Sequence, residues 1–222
     1  MVRNLVGGRA ELDFFDGRKL TALPRDRLST AALQGRKAAQ ALALATEFGA
    51  DALLFSCDLD KSSGRVRPAE RRRRLAELRA NIQRGFDEVK EQIPEASRVM
   101  TAVAVPARMV EAWALADRSA LAILTRKPHE RLDYGRPEEL WGDERVPGSN
   151  HPKNVWERVG GGTDFADIGA AAAPAVLARE CPGSFPPFEK DVQVALEECP
   201  AREAVERVGR RDVPRGAPAK RR

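Results

Sequence analysis

The chain has 222 residues, of which 42% are hydrophobic and 32% charged, which is enough to bury one sizeable core. Aromatic residues make up only 5%, too few for a sheet of base-stacking side chains, and the three cysteines form no CxxC pair that would indicate a zinc ribbon. No apolar run approaches the roughly 20 residues that cross a bilayer. We therefore expect a reduced, cytoplasmic protein with no membrane partner.

The basic charge is concentrated at the C-terminus. The formal net charge is +5, and residues 209–222 alone carry six basic side chains against one acidic side chain. The rest of the chain is therefore electrically balanced. Because this stretch also contains Pro and Gly, residues 201–222 are predicted to form a basic, disordered tail.

Hydrophobic periodicity predicts alternating helices and strands in the first half of the chain. Residues 30–48 have the pattern of an amphipathic helix, and Gly49 ends it. The continuous apolar run 50–57 predicts a strand buried on both faces. A long helix is predicted over 69–93, a second apolar strand over 99–105, and a helix over 107–124. This order makes a βαβ unit with parallel strands.

The second half of the chain is less regular. Residues 125–152 show no periodicity, and they are followed by shorter helices predicted over 152–159, 164–180 and 188–197. The fold class predicted is α/β, with a mainly parallel sheet flanked by helices and a helical C-terminal extension. Residues 1–125 are expected to form the core, and 126–200 a loop and helical extension of the same domain.

Carboxylates follow both predicted strands. Asp58 and Asp60 come directly after the first strand, and Glu111 lies near the start of the helix after the second. Because ligands of parallel sheets bind at the carboxyl ends of the strands, these side chains are expected to share one crevice. Carboxylates without His or Cys suit Mg²⁺ or Mn²⁺. The alternative for Asp58 and Asp60 is a turn and helix cap, and for Glu111 an interaction with the helix dipole.

Basic residues near these carboxylates are candidate contacts to substrate phosphates, namely Lys61, Arg108 and Lys153. Other residues whose side chains could bind a metal or act as a nucleophile are interpreted as structural. His129 and His151 lack ligand-spaced partners and are expected in surface loops. Cys57 is expected to be an inert thiol in a strand.

Several sequence motifs together resemble a known bacterial family, the uncharacterised "domain of unknown function 4276". The resemblance runs from about Gly7 to Leu196. The segments that carry it are Gly35-Arg36, LLFSCDLD at 53–60, EAWALAD at 111–117, Pro137-Glu138, His151-Pro152-Lys153-Asn154, and Cys181-Pro182-Gly183-Ser184-Phe185.

The resemblance implies a Toprim-like fold, similar to the catalytic core of topoisomerases, primases and related nucleases. Members are often encoded beside ATPases in anti-phage or mobile-element loci. Asp58 and Asp60 would match the Mg²⁺-binding aspartate pair, and Glu111 and Asp117 the acidic helix. Glu111 would be a third ligand or a base, and Lys153 would contact phosphate.

One departure from the Toprim pattern separates the functional hypotheses. A Toprim core also carries a glutamate after its first strand, but no apolar strand precedes Glu11, the nearest candidate. Either the true start lies upstream of Met1, or proton transfer is lost. The first hypothesis is a Mg²⁺-dependent nuclease-type protein that acts on nucleic-acid phosphodiesters, with DNA favoured over RNA as the substrate, and that has an ATPase partner. The alternatives are a catalytically inactive adaptor, and nucleic-acid binding by Arg71–Arg74 and the tail alone.

Overall fold

The computed structural model describes residues 30–59, 67–128, 132–160 and 162–198. Asp60, Lys61, His129, Glu11 and the basic tail lie outside them. The helices and strands are α1 (Thr30–Glu47), β1 (Ala52–Ser56), α2 (Pro68–Gln92), β2 (Met100–Ala104), α3 (Val110–Ala114), α4 (Arg118–Thr125), α5 (Pro152–Val159), α6 (Phe165–Ala171), α7 (Pro174–Glu180) and α8 (Phe185–Glu198). Short 3-10 helices cover Pro94–Arg98 and Pro137–Glu139.

The described residues form a mainly helical protein around a two-stranded parallel sheet. Ala52 of β1 pairs with Met100 of β2, and the register continues to Ser56 opposite Ala104. Helix α2 connects the two strands, so the predicted βαβ unit and the α/β class are confirmed at this level. Among the described helices, none is both long and apolar enough to span a membrane.

Helices α1 and α2 cover one face of the sheet. Phe55 and Val103 point into the same cluster as the apolar stripe of α2, which consists of Leu75, Leu78, Ile82, Phe86 and Val89. The two helices cross at a pair of glycines. A Cβ atom on Gly85 would lie 2.1 Å from the carbonyl oxygen of Gly35, so this crossing tolerates no side chain there.

The opposite face of β2 is covered by α8. Ala102 and Ala104 pack into a cluster with Trp113, Phe185 and Phe188. Trp113 lies edge-on to Phe185 and is stacked on Phe188, with ring centroids 5.4 and 5.3 Å apart. A third cluster joins α3 to α6 through Leu115, Leu121, Val155, Val159 and Ile168 among others. The small sheet is therefore embedded in helices on the β2 side.

The prediction that the first strand is buried on both faces was wrong. Phe55 is the buried residue of β1, whereas Ala52 and Ser56 are exposed and Leu54 keeps 40% of its surface in solvent. The reason is that α8 packs against β2 and leaves this face of β1 uncovered. An apolar run alone does not distinguish a strand covered on both faces from one covered on one face.

Two predicted helices are each divided in the structure. The helix predicted over 107–124 is α3 and α4, because the chain turns at Leu115 and Ala116 and Asp117 caps α4 by accepting from the Ala120 N–H. The helix predicted over 164–180 is α6 and α7, which Pro174 separates by starting a new first turn.

The outer edge of β2 is closed by side chains instead of a third strand. The Asp191 carboxylate of α8 accepts from the Val103 N–H at 3.0 Å, and Arg79 of α2 donates to the Val103 carbonyl at 2.8 Å. Arg79 and Asp191 also pair with each other at 2.6 Å. Both backbone groups of a central strand residue are thus satisfied, and α2, β2 and α8 are fixed together.

Replacing Asp191 with Ala is expected to lower the free energy of unfolding by about 1–3 kcal/mol, because it leaves the Val103 N–H and Arg79 without their acceptor. Chemical denaturation measures this change. Glu197, an exposed acid on the same helix, provides the control, and E197A is expected to stay within about 0.5 kcal/mol of wild type. Equal effects of D191A and E197A would contradict the proposed closure of the edge.

Candidate functional site

The carboxyl ends of β1 and β2 continue side by side beyond the strands. The Cys57 N–H donates to the Ala104 carbonyl at 3.1 Å, and the Leu59 N–H donates to the Pro106 carbonyl at 3.1 Å. Asp58 lies between these two bonds on the first loop, and Arg108 follows directly on the second. Parallel pairing therefore delivers both residues to the same edge of the sheet, as the sequence predicts for Asp58.

Glu111 lies close to Asp58. It is the second residue of α3, and burial, followed by the negative charge of Asp58, raises the pKa of its carboxyl above the ordinary value. Lys153 acts in the opposite direction and lowers it. The Oε2 atom of Glu111 is buried and finds no hydrogen-bond donor among the described residues. The structure thus brings together three of the predicted residues, Asp58, Glu111 and Lys153.

Lys153 is held by an ion pair. Its Nζ lies 2.6 Å from the Oε1 atom of Glu144, and both side chains are about half exposed. The loop that carries Glu144 is fixed by Asn154, whose side-chain amide donates to the carbonyls of Asp143 and Val146. Asn154 is buried, so this loop is anchored to the start of α5. Lys153 can reach a substrate phosphate only in competition with Glu144.

His151 is buried, so its prediction as a surface loop residue was wrong. It retains 3% of its surface in solvent and comes directly before Pro152, the first residue of α5. Burial, followed by the positive charge of Arg108, which is itself 1% exposed, lowers the pKa of the imidazole. The local sequence gives no sign that His151 is buried, because its burial depends on a tertiary contact, the packing of α3 against α5.

The described part of the chain contains no cluster of three or more His, Cys, Asp and Glu side chains with the proximity of a metal centre. Asp58 and Glu111 are two oxygen donors of the predicted set. Asp60, the second residue of the predicted aspartate pair, and Lys61, a predicted phosphate contact, belong to residues 60–66, which are not described. The assignment of Asp58, Asp60 and Glu111 as metal ligands therefore stays a prediction.

Arginines crowd the start of α2, at the same end of the sheet. Five arginines and one glutamate lie within 67–74. Arg73 and Arg74 both bond to Glu70, and these bonds lower the pKa of its carboxyl to about 2. Arg72 is exposed. This turn therefore carries a strong local positive charge.

Two other motifs of the resemblance have structural partners. The buried carboxylate of Glu138 accepts from the Gly183 N–H at 3.0 Å and from the Ser184 hydroxyl, and Ser184 in turn accepts from the Trp113 indole at 2.8 Å. The Pro137–Glu139 turn is thereby joined to the Cys181–Phe185 segment and to α3. Burial raises the pKa of the Cys181 thiol far above neutrality, so this cysteine is a packing residue.

Asp117 also makes structural contacts. One carboxylate oxygen accepts from the Ala120 N–H at the start of α4, and the other accepts from the Ala173 N–H before α7, both at 3.0 Å. Asp117 therefore joins the starts of two helices.

Comparison of the chain with protein-family models, curated proteins and solved structures found no match in any of the three. The resemblance to the Toprim-like family stays a prediction.

Replacing Glu138 with Gln is expected to lower the free energy of unfolding by about 1–3 kcal/mol, because the new amide turns a donor toward Gly183 or Ser184. The adjacent Glu139 is exposed and provides a matched control. We expect E139Q to unfold like wild type in urea. A neutral E138Q would show that the buried network contributes nothing to stability.

Glu111 is expected to reduce stability at neutral pH. Its carboxyl has a higher pKa in the folded than in the unfolded chain, so its ionisation opposes folding once the pH exceeds the ordinary value. E111Q should therefore unfold at higher urea concentration than wild type at pH 7, and this gain should shrink toward pH 4. E88Q, at an exposed position of α2, should show no such difference. A loss of stability in E111Q at pH 7 would contradict this explanation.

Proposed function

We propose that the protein is a Mg²⁺-dependent, Toprim-like protein that acts on nucleic-acid phosphodiesters, DNA more readily than RNA, together with an ATPase partner. The fold family, the substrate and the ATPase come from the sequence resemblance. The structural observation that supports the chemistry is that Asp58, at the carboxyl edge of a parallel sheet, lies near enough to Glu111 for its charge to add to the effect of burial in raising the pKa of Glu111.

The donors at this edge fit a hard divalent cation. Glu111 has a buried carboxylate oxygen with no donor in the described residues, and the Asp58 charge lies close by. Asp58, Asp60 and Glu111 would hold the ion, which when bound supplies positive charge to the phosphate oxygens. The cation would also remove the mutual repulsion of the carboxylates. The buried Oε2 atom of Glu111, which has no hydrogen-bond partner in the described residues, is then consistent with a ligand role.

The residues of this chain also provide contacts for phosphates. Arg108 lies on the loop after β2, and Lys153 borders Glu111 from α5. The arginines at the start of α2 lie near the same carboxyl end of the strands as Arg108 and Lys153. Arg79 bonds to Val103 in β2, and Arg71–Arg74 precede it by about 8–12 Å along a helix that runs back against the strands. They would bind phosphates flanking the site, and this contact predicts an affinity that falls with salt.

An inactive adaptor that keeps the same scaffold is the alternative. The adaptor would be stabilised by the same hydrogen bonds of Asp191 and Glu138 as the enzyme, and these bonds involve no metal. The two functions differ in what Asp58 does. In the enzyme, Asp58 binds metal and is required for cleavage, whereas in the adaptor its replacement changes neither metal affinity nor partner binding.

Calorimetric titration with Mg²⁺ and a DNA-cleavage assay in the same buffer test the proposal. D58N, D60N and E111Q are expected to weaken Mg²⁺ binding at least about tenfold and to abolish cleavage. D51N provides the control, because Asp51 is an exposed aspartate at the other end of β1, about 20 Å away. Loss of binding in D51N as in D58N, or wild-type binding in all four variants, would overturn the site.

A further inference from the structure

His151 has an unused hydrogen-bonding group in the interior. Its Nδ1 atom is buried and has no hydrogen-bond partner among the described residues, although the backbone N–H of His151 bonds to Ser149. Leaving such a group buried and unpaired opposes folding, because its bonds to water are lost and not replaced. Buried polar atoms of this kind are rare in folded proteins, and a missing ligand is one explanation for them.

The charges around His151 come from three segments. Arg108 approaches from the loop after β2, Asp143 and Glu144 from the loop before α5, and Lys153 from α5 itself. Burial, followed by the positive charge of Arg108, lowers the pKa of the imidazole, so these surroundings oppose protonation of His151. Two of these four charged side chains, Arg108 and Lys153, carry the positive charge that an anion needs.

The start of α5 adds to this field. Helix α5 has eight residues, and its first turn directs backbone N–H groups and the positive end of the helix dipole toward the region of His151. Pro152 fixes the first turn, and the bonds of Asn154 hold the preceding loop in place. The donors at this point are thus held in position before any ligand arrives.

We infer that His151, Arg108 and the first turn of α5 form an oxyanion subsite for one phosphate dianion, and that His151 takes up a proton when the anion binds. The half-exposed pair of Lys153 and Glu144 borders the subsite. An incoming anion competes with Glu144 for Lys153, so Glu144 limits the affinity. The inference deepens the proposed function, on which it rests for the ligand class, because it assigns the site a phosphate-bearing nucleic-acid end.

Sulfate is the appropriate first probe, because it stays a dianion between pH 5 and pH 8 while phosphate itself titrates. Calorimetry in EDTA measures its affinity without divalent metal. We expect H151N to bind sulfate about tenfold more weakly than wild type, since a charge-assisted bond is lost. We expect E144Q to bind it about threefold more tightly, since the competing carboxylate is gone.

Proton uptake separates this role from a structural one. Titrations in two buffers of different ionisation enthalpy should show up to one proton taken up per sulfate by wild type at pH 7, and none by H151N. E88Q, at an exposed position of α2, is the control for a general effect of removing a carboxylate and should keep the uptake. The chain has only two histidines, so H151N also identifies the His151 imidazole in an NMR titration. Thermal unfolding of each variant verifies folding.

A second comparison identifies the source of the anion. An oligonucleotide with a 5′-phosphate should compete with sulfate, whereas the same oligonucleotide with a 5′-hydroxyl should compete far less. Equal sulfate affinity in wild type and H151N, or no sulfate binding by folded wild type, would overturn the subsite even if Mg²⁺ binds through Asp58. Binding through His151 without Mg²⁺ binding would support the subsite and overturn the metal enzyme instead.

Discussion

The candidate site depends on parallel backbone pairing that continues past the ends of the two strands. Two bonds, from Cys57 to Ala104 and from Leu59 to Pro106, keep the outgoing loops adjacent. They place Asp58 beside the chain that leads through Arg108 to Glu111. A shift of one residue in this register would turn Phe55 away from the α1–α2 core, so burial of Phe55 also fixes the position of the carboxylates.

The packing around β2 makes that register rigid. Arg79 and Asp191 occupy the hydrogen-bonding groups on the outer edge of β2, while β1 occupies the inner edge. Strand β2 is therefore held on both edges, and Val103 is also held through its buried side chain. The loop after β2 begins at Val105, directly after Ala104, which pairs with Ser56 of β1. A strand fixed in this way can present Arg108 and Glu111 at a constant position relative to Asp58.

The sequence was sufficient to predict the βαβ unit and the approach of Asp58 to Glu111, because both follow from strand order. The sequence was insufficient where tertiary contacts determine which residues are buried and where a helix ends. Leu54 is exposed because α8 covers β2, and helix 107–124 is broken because Asp117 caps a new helix. His151 has no local signal for burial, since its neighbours Arg108 and Glu144 come from other segments. Residue spacing along the chain carries none of this information.

The motif residues divide into two physical classes. Glu138 and Asn154 are buried and fully engaged, one by the backbone and hydroxyl of the Cys181–Phe185 segment and the other by the loop before α5. Packing alone explains why these two positions are polar. A buried polar residue is therefore no indication of chemistry until its hydrogen-bond partners are known.

Glu111 and His151 behave in the opposite way. Each buries a polar atom that has no partner in the described residues, and each has a pKa displaced toward its neutral form. Glu138 shows that this fold can satisfy a buried carboxylate with two donors, so the cost at Glu111 is not imposed by the architecture. A cation near Glu111 and an anion near His151 would each restore the charged form. Of these two unpartnered groups, Glu111 would be satisfied by positive charge and His151 by negative charge, which is consistent with the metal-assisted phosphate site that we propose.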